Sequence, residues 1–379
     1  MTSESYPAAG LVAPAMHAHF ARHLDAARSR GVERLAWLPD EAAIARMVNA
    51  AFWASLRREE GYVSKISLAF LPPDQSEHPM VLERPLSLDA RSLAKIAPVV
   101  ERAGIHLGVW PDGDELKVWG TTRTIPSFCF VLEVVEPGLL VIKHHGGEVS
   151  GKFINVAVLE GDRIKVVDEH ASSLPECPAL LKALMGFDSP ASWLGSFNVR
   201  VQLAVSMRAH GRGGSMLIVP AGTDRWRESI IHPVPYALVP SRLALADPLC
   251  ATEQDRLAQL APDACLQAVS AMAGLTAADG AAILTDTYDV LAFGAKIARR
   301  RGSSPVEQVR MTEPIVGGAA VTVDASNLGG TRHLSAAQFA HDQRDSVALV
   351  ASQDRRFTIF AWSPCEEMVH AHRVETLLL

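Results

Sequence analysis

The sequence lacks the features that mark membrane, secreted and nucleic-acid-binding proteins. It has no run of about eighteen apolar residues, so we expect no membrane span. Near its start, no basic segment precedes an unbroken apolar run, so we expect no signal peptide. The formal net charge is −6, which gives no general attraction to nucleic acid or to an anionic membrane. Any binding of phosphate must therefore be local.

The chain also lacks a cysteine framework. Its five cysteines are scattered, and no two of them form a Cys-x-x-Cys pair. Such a set is typical of reduced thiols rather than of disulfides or a zinc site, so we expect a cytoplasmic protein. With 379 residues, 48% of them hydrophobic and 21% charged, the composition is that of an ordinary globular protein with room for two domains.

The first half of the chain changes from helical to strand periodicity. Helices are predicted over residues 14–30 and 40–56, and Asp40 is the expected cap of the second. Short apolar strands separated by proline and glycine turns follow, which predicts an α+β module with an antiparallel meander. The predicted strands cover residues 66–71, 106–110, 116–121, 128–135, 139–144 and 155–159.

The second half alternates helices with apolar strands, which predicts an α/β sheet covered on its faces. We expect the domain break between residues 175 and 195, where Ser189-Pro190 interrupts the chain. Helices are predicted over residues 199–210 and 253–274, with a kink or break at Pro262. Strands are predicted over residues 216–220, 281–284, 290–297, 346–352 and 357–362, the last four as two hairpins.

Residues 329–337 read Gly-Gly-Thr-Arg-His-Leu-Ser-Ala-Ala, a glycine turn entering a helix that Ser335 could cap. Backbone N–H groups at a helix N-terminus beside an arginine and a histidine suit a phosphate. Upstream, Asp279-Gly280-Ala281 is an acidic turn that enters a buried strand. An acid at a strand tip near a phosphate-binding turn is expected where a metal bridges phosphate and protein. Taken singly, each segment also fits an ordinary solvated turn.

Together, these two segments resemble the Asp-Gly-Ala and Gly-Thr-Arg-His-Arg motifs of the diadenylate cyclase (DAC) domain. The resemblance covers about residues 197–365 and implies an α/β domain whose mixed sheet is flanked by helices. The module ahead of it, residues 1–190, resembles the sensor domain DACNV, which is found in front of divergent DAC domains and implies a regulatory role. Residues 366–379 are left as a C-terminal tail.

The DAC resemblance implies that two ATP molecules are condensed into cyclic di-AMP, with Mg²⁺ or Mn²⁺ as cofactor. It also implies self-association of two DAC-like domains, because each ATP must meet the other. Asp279 is the implied catalytic and metal-binding acid, and Asp354 stands where the family has a metal-binding glutamate. The implied nucleotide contacts are Gly280, Ala281, Gly330, Thr331, Arg332, His333 and Ser352.

The chain departs from the family pattern at Leu334, where the second arginine of the motif would stand. This removes one charged phosphate donor. The connection from Asp279 to Arg332 carries an arginine run, residues 299–301, from which a guanidinium could fold over the site. An active cyclase is therefore one hypothesis. A nucleotide-binding sensor without turnover and a cyclase that makes another dinucleotide are the alternatives.

Overall fold

The computed structural model describes residues 5–59, 61–146, 153–170, 172, 174–184, 187, 198–241 and 262–379. The chain divides into two compact units, Met1–Val167 with Leu379, and Asp168–Leu378. This division precedes the predicted break between residues 175 and 195, part of which lies outside the described residues. Within the described ranges, no helix is long and apolar enough to cross a membrane.

The first unit consists of helices packed on a sheet. Its helices are α1 (Pro7–Ser29), α2 (Glu41–Ser55) and α3 (Ala90–Ile96). Its strands are β1 (Arg58–Glu59), β2 (Tyr62–Val63), β3 (Ile66–Phe70), β4 (Met80–Ser87), β5 (His106–Asp112), β6 (Glu115–Thr122), β7 (Phe130–Glu136), β8 (Leu139–His145), β9 (Phe153–Glu160) and β10 (Arg163–Val166). The predicted cap of α2 is confirmed, because the Asp40 carboxylate accepts a hydrogen bond from Ala43 N at 2.6 Å.

The sheet of the first unit corrects the predicted meander. Its order is β10-β9-β8-β7-β3-β5-β6-β4, while β1 and β2 form a separate hairpin. Strand β3 lies between β5 and β7 and runs parallel to β5, so an unbroken meander is wrong at this point. All five residues of β3 are buried, and a strand that is apolar on both faces is stable only where both faces are covered.

The second unit contains a mixed sheet with helices. The helices are α4 (Pro178–Ala183), α5 (Val199–Ala209), α6 (Pro262–Gly274), α7 (Thr331–Asp342) and α8 (Glu375–Leu378). The strands are β11 (Gly214–Val219), β12 (Tyr236–Ser241), β13 (Ala281–Thr285), β14 (Val290–Ala295), β15 (Gln308–Thr312), β16 (Val321–Asp324), β17 (Val347–Ala351), β18 (Phe357–Ser363) and β19 (Met368–Arg373). The sheet order is β12-β14-β13-β11-β17-β18-β19-β15-β16.

The strand directions in this sheet confirm a mixed α/β architecture. β11 runs parallel to β13, and β15 runs parallel to β19, while the other neighbours are antiparallel. The two predicted hairpins are confirmed as β13 with β14 and β17 with β18. Leu217 and Val219 share a buried cluster with Phe339 of α7. Because side chains alternate along a strand, the intervening buried residues of β11 face the opposite side, so both faces are covered.

One prediction about the second unit needs correction. Residues 366–379 are not a tail, because β19 pairs with β18 and β15 and its Val369 and Ala371 are buried. Pro262, where a kink or a break is predicted, is the first described residue of α6, and its missing N–H is tolerated at a first helical turn. The start of the predicted helix, residues 253–261, lies outside the described residues.

The carboxylate of Asp342, at the end of α7, holds the loop that carries the arginine run. It accepts hydrogen bonds from Arg300 N at 2.8 Å, from the Ser303 hydroxyl and from Gln338 Nε2 at 2.9 Å. Asp342 is buried. Burial alone would raise the pKa of Asp342, but the hydrogen bonds from Ser303, Arg300 and His341 lower it below its ordinary value.

We expect Asp342→Asn to lower the free energy of unfolding at pH 7 by about 2 kcal/mol or more, since an amide cannot accept all these bonds. The folded pKa is depressed, so the Asp342 contribution is complete above the ordinary value of 3.8 and is lost as pH falls through the folded pKa. Urea unfolding at several pH values checks this, with exposed Asp345→Asn as control. If the difference in the free energy of unfolding between wild type and Asp342→Asn grew at low pH, the result would contradict this prediction.

Candidate functional site

Several strands of the second sheet end at one edge. Ser215 at the start of β11 pairs with Ala281 at the start of β13 and with Val350 near the end of β17. Ala281 also pairs with Ala295, the last residue of β14. The residues just beyond these pairs, Asp279 before β13 and Ser352 after β17, must therefore meet at this edge.

A cavity of about 680 Å³ opens at this edge, a volume within the range of small-molecule sites. It brings together all nine residues predicted for the site, although the structure alone does not test their roles. The predicted residues that line it are Asp279, Gly280, Ala281, Gly330, Thr331, Arg332, His333, Ser352 and Asp354. Its other polar side chains, which the sequence reasoning missed, belong to Ser215, Lys296, Ser335, Gln353 and Arg356.

Helix α7 presents its N-terminus to the cavity. The helix begins at Thr331, four residues before Ser335, so the predicted cap at Ser335 is wrong. Gly330 takes the cap position in extended conformation, and no side chain caps the helix there. In the first turn, the N–H of His333 donates to Gly330 O at 3.0 Å, whereas those of Thr331 and Arg332 have no hydrogen-bond partner among the described residues. These two N–H groups carry the positive partial charge of the helix end, which favours an anionic ligand.

His333 is fixed close to the glycine turn. Gly329 has φ +152°, and a Cβ there would lie 2.8 Å from His333 Nδ1, so only glycine allows this approach. His333 is 5% exposed and lies edge-on to Phe360. Desolvation, aided by the nearby Arg373 guanidinium, lowers the pKa of His333. The imidazole is therefore neutral at pH 7 and adds a hydrogen-bonding group rather than a charge to the cavity.

The cavity has three cationic side chains. The guanidinium of Arg356 is 3.3 Å from the Asp354 carboxylate. Within the described parts of the chain, neither Arg332 nor Lys296 has a carboxylate at ion-pair distance, and Lys296 is exposed. Nothing in the sequence distinguishes Lys296 from any lysine that follows a strand, so only the fold could identify it.

Two carboxylates face the same space. Asp279 is exposed. Asp354 accepts a hydrogen bond from Ser352, and burial alone would raise its pKa, but this bond and the charge of Arg356 lower it. Asp354 is therefore ionised at pH 7. Two carboxylates and a hydroxyl are the hard oxygen donors that Mg²⁺ and Mn²⁺ prefer, so the donor set fits the expected ion.

The arginine run does not supply a cation to the cavity. None of the described residues Arg299, Arg300 and Arg301 lines it, and Arg300 lies 3.7 Å from Glu228. The hypothesis that this run folds over the site is therefore wrong for the described structure. Leu334 is 42% exposed and does not line the cavity either.

We expect Gly280→Ala to lower the free energy of unfolding by more than about 1 kcal/mol. Gly280 has φ +104°, and an added Cβ would lie 2.4 Å from the Gly294 carbonyl carbon. Gly274→Ala is the matched control, because its φ of −58° is helical. No atom lies within 4 Å of a Cβ added there. Urea denaturation should show Gly274→Ala unchanged or slightly stabilised, and equal effects of the two changes would refute the argument.

A known family matches part of the chain. The family described as "Probable sensor domain DACNV" matches residues 33–123, which lie in the first unit and run from the approach to α2 through β6. No curated protein matches this chain. The resemblance predicted for residues 1–190 is thus confirmed for residues 33–123, and this part of the chain is similar to a sensor domain.

Proposed function

We propose that this protein is a divergent diadenylate cyclase, which condenses two ATP molecules into cyclic di-AMP under the control of its N-terminal unit. The observation that carries the proposal is that a single cavity gathers the Asp-Gly-Ala turn, the Gly-Gly-Thr-Arg-His turn and Asp354. These segments are far apart in sequence and meet only through the sheet register. The match of residues 33–123 to a sensor domain supports the regulatory half of the proposal.

The charges in the cavity favour a polyphosphate with a divalent ion. Arg332 and Lys296 are cations without a carboxylate partner among the described residues, and the backbone N–H groups of Thr331 and Arg332 at the start of α7 are also unpaired there. A triphosphate would satisfy all of these donors. The carboxylates of Asp279 and Asp354 would repel the same phosphates unless a cation lay between them. The carboxylates and the cationic side chains of the cavity together therefore favour a metal-bound nucleotide.

In this reaction, the chain would bind and orient the ATP molecules and would form no covalent bond to them. Each 3′-oxygen forms a bond to the α-phosphorus of the other ATP, the bond from that phosphorus to the pyrophosphate oxygen breaks, and two pyrophosphates leave. Each 3′-hydroxyl proton passes to water. Mg²⁺ or Mn²⁺ held by Asp279 and Asp354 would supply Lewis-acid activation of the hydroxyl. Arg332 and the first-turn N–H groups would orient the triphosphate, and neutral His333 would donate or accept one hydrogen bond.

Two copies of the chain are needed for this reaction. Each cavity of about 680 Å³ is suited to a single nucleotide, and each 3′-hydroxyl must reach the α-phosphate of the other ATP. Self-association of the second unit is therefore part of the proposal.

A second candidate is a nucleotide-binding sensor without turnover. It is favoured by Leu334, which removes the second guanidinium of the motif and leaves Arg332 as the arginine at the start of α7, and by the lowered pKa of His333. Both features reduce the positive charge available to a transition state while leaving a concave site. ATP binding without product formation would select this candidate over the cyclase.

The proposal predicts that the purified chain converts ATP to cyclic di-AMP with Mn²⁺ or Mg²⁺. We expect Asp279→Asn to reduce the rate by at least about a hundredfold, because it removes the acid that the reaction needs. Chromatographic identification of the product checks this and would also reveal a different dinucleotide. Asp224→Asn, an exposed carboxylate outside the cavity, is the control. A wild-type chain that binds ATP but forms no product would overturn the cyclase proposal.

A further prediction concerns the metal dependence. We expect Asp354→Asn to raise the Mn²⁺ concentration for half-maximal rate by at least about tenfold, because one ionised oxygen donor is lost. At saturating Mn²⁺, the loss of rate in Asp354→Asn should be smaller than the loss of rate in Asp279→Asn. Glu367→Gln, on the exposed turn between β18 and β19, serves as the control. An unchanged Mn²⁺ dependence would mean that Asp354 serves only to fix Arg356.

A further inference from the structure

Lys296 stands at the edge of the cavity on a fixed backbone. Its carbonyl oxygen accepts a hydrogen bond from Ile231 N at 2.9 Å, and Ala298 N donates to Ser229 O at 2.9 Å. Between these two bonds, Ile297 pairs with Ile230 in an isolated antiparallel bridge. The chain is therefore held on both sides of Lys296, and only the side chain is free to adapt to a ligand.

The register places Lys296 next to the Asp-Gly-Ala turn. Ala281 of β13 pairs with Ala295 of β14, so the next antiparallel pair beyond the strand ends is Gly280 with Lys296. The backbones are unusually close here, because a Cβ on Gly280 would lie 2.9 Å from Ala295 N. Lys296 thus lines the same cavity as Asp279 and as Arg332 of α7.

An exposed lysine is most often just solvated, so a binding role for Lys296 must be argued from the residues around it. Of the cavity cations, Arg356 is already engaged by Asp354, whereas no carboxylate of the described residues lies at ion-pair distance from Lys296. The chain also carries Leu334 where a second motif arginine would stand, on a residue that does not line the cavity. The motif position that is arginine in the family thus carries no charge in this chain, while Lys296, just after β14, adds a cation to the cavity that the motif does not account for.

We propose that Lys296 is a substrate-binding residue that contacts the triphosphate of the ATP bound beside Asp279 and takes over the charge missing at Leu334. This inference rests on the proposed function, since it assumes that the cavity takes a nucleotide. It assigns the role to the lysine that follows β14 rather than to the arginine run. The side chain acts as a mobile point charge, which suits a phosphate whose position changes during reaction.

The test measures binding of ATP and of adenosine to the full-length chain by calorimetry, with Mg²⁺ present. We expect Lys296→Ala to weaken ATP binding about tenfold, the equivalent of one charged hydrogen bond, and to leave adenosine binding unchanged. Lys296→Arg should stay within about threefold of wild type, because the charge is kept. Arg301→Ala, an exposed arginine of the neighbouring run outside the cavity, should change neither affinity.

A double variant, Lys296→Ala with Leu334→Arg, adds a rescue arm. If the two positions serve the same phosphates, the new guanidinium on α7 should restore much of the lost ATP affinity. Equal ATP affinity of wild type and Lys296→Ala would overturn the inference and leave the proposed function standing. Loss of adenosine binding in Lys296→Ala would also overturn it, because the lysine would then be structural. Absence of any ATP binding by wild type would instead overturn the proposed function.

Discussion

The cavity depends on the register of three neighbouring strands. Ser215 of β11 is paired with Ala281 on one side and Val350 on the other, so the turns before β13 and after β17 are brought to the same edge. A slip of one residue would exchange the side chains of β11 between its two covered faces, and the packing on both faces would be lost. The burial of every residue of β11 therefore fixes where Asp279 and Ser352 meet.

At this edge of the sheet, charged side chains and a neutral hydrogen-bonding side chain stand side by side. His333 is buried, and desolvation keeps it neutral, whereas Arg332 remains exposed and charged. Asp354 is ionised and held by Ser352 and Arg356, so its charge is partly compensated before any ligand arrives. Asp279 carries no comparable partner in the described structure. An anionic ligand with a divalent cation would compensate both the positive charge of Arg332 and the negative charge of Asp279. An anion alone or a metal ion alone would compensate one of the two.

The sequence predicted individual helices, strands and hairpins well, but it predicted less well which strands lie next to each other in the sheets. Both hairpins of the second unit and the Asp40 cap follow from local patterns, and the two motifs identified the cavity residues. The position of β3 between β5 and β7 depends on strand pairing that an apolar run does not encode, and the same is true of β19 in the assumed tail. Lys296 was missed because its place beside Gly280 is set by the pairing of β13 with β14. The family match confirms the sensor resemblance over residues 33–123 alone.

The arginine run shows why charge patterns alone mislead. Three consecutive arginines suggest an anion site, yet the segment is held by its backbone: Arg300 N donates to Asp342, whose carboxylate also accepts from Ser303. A buried carboxylate needs several donors, and a loop with free N–H and hydroxyl groups supplies them. The loop thus satisfies Asp342 and covers the end of α7. The cation near the Asp-Gly-Ala turn that lacks a carboxylate partner among the described residues is instead Lys296, which follows β14 at the edge of the cavity.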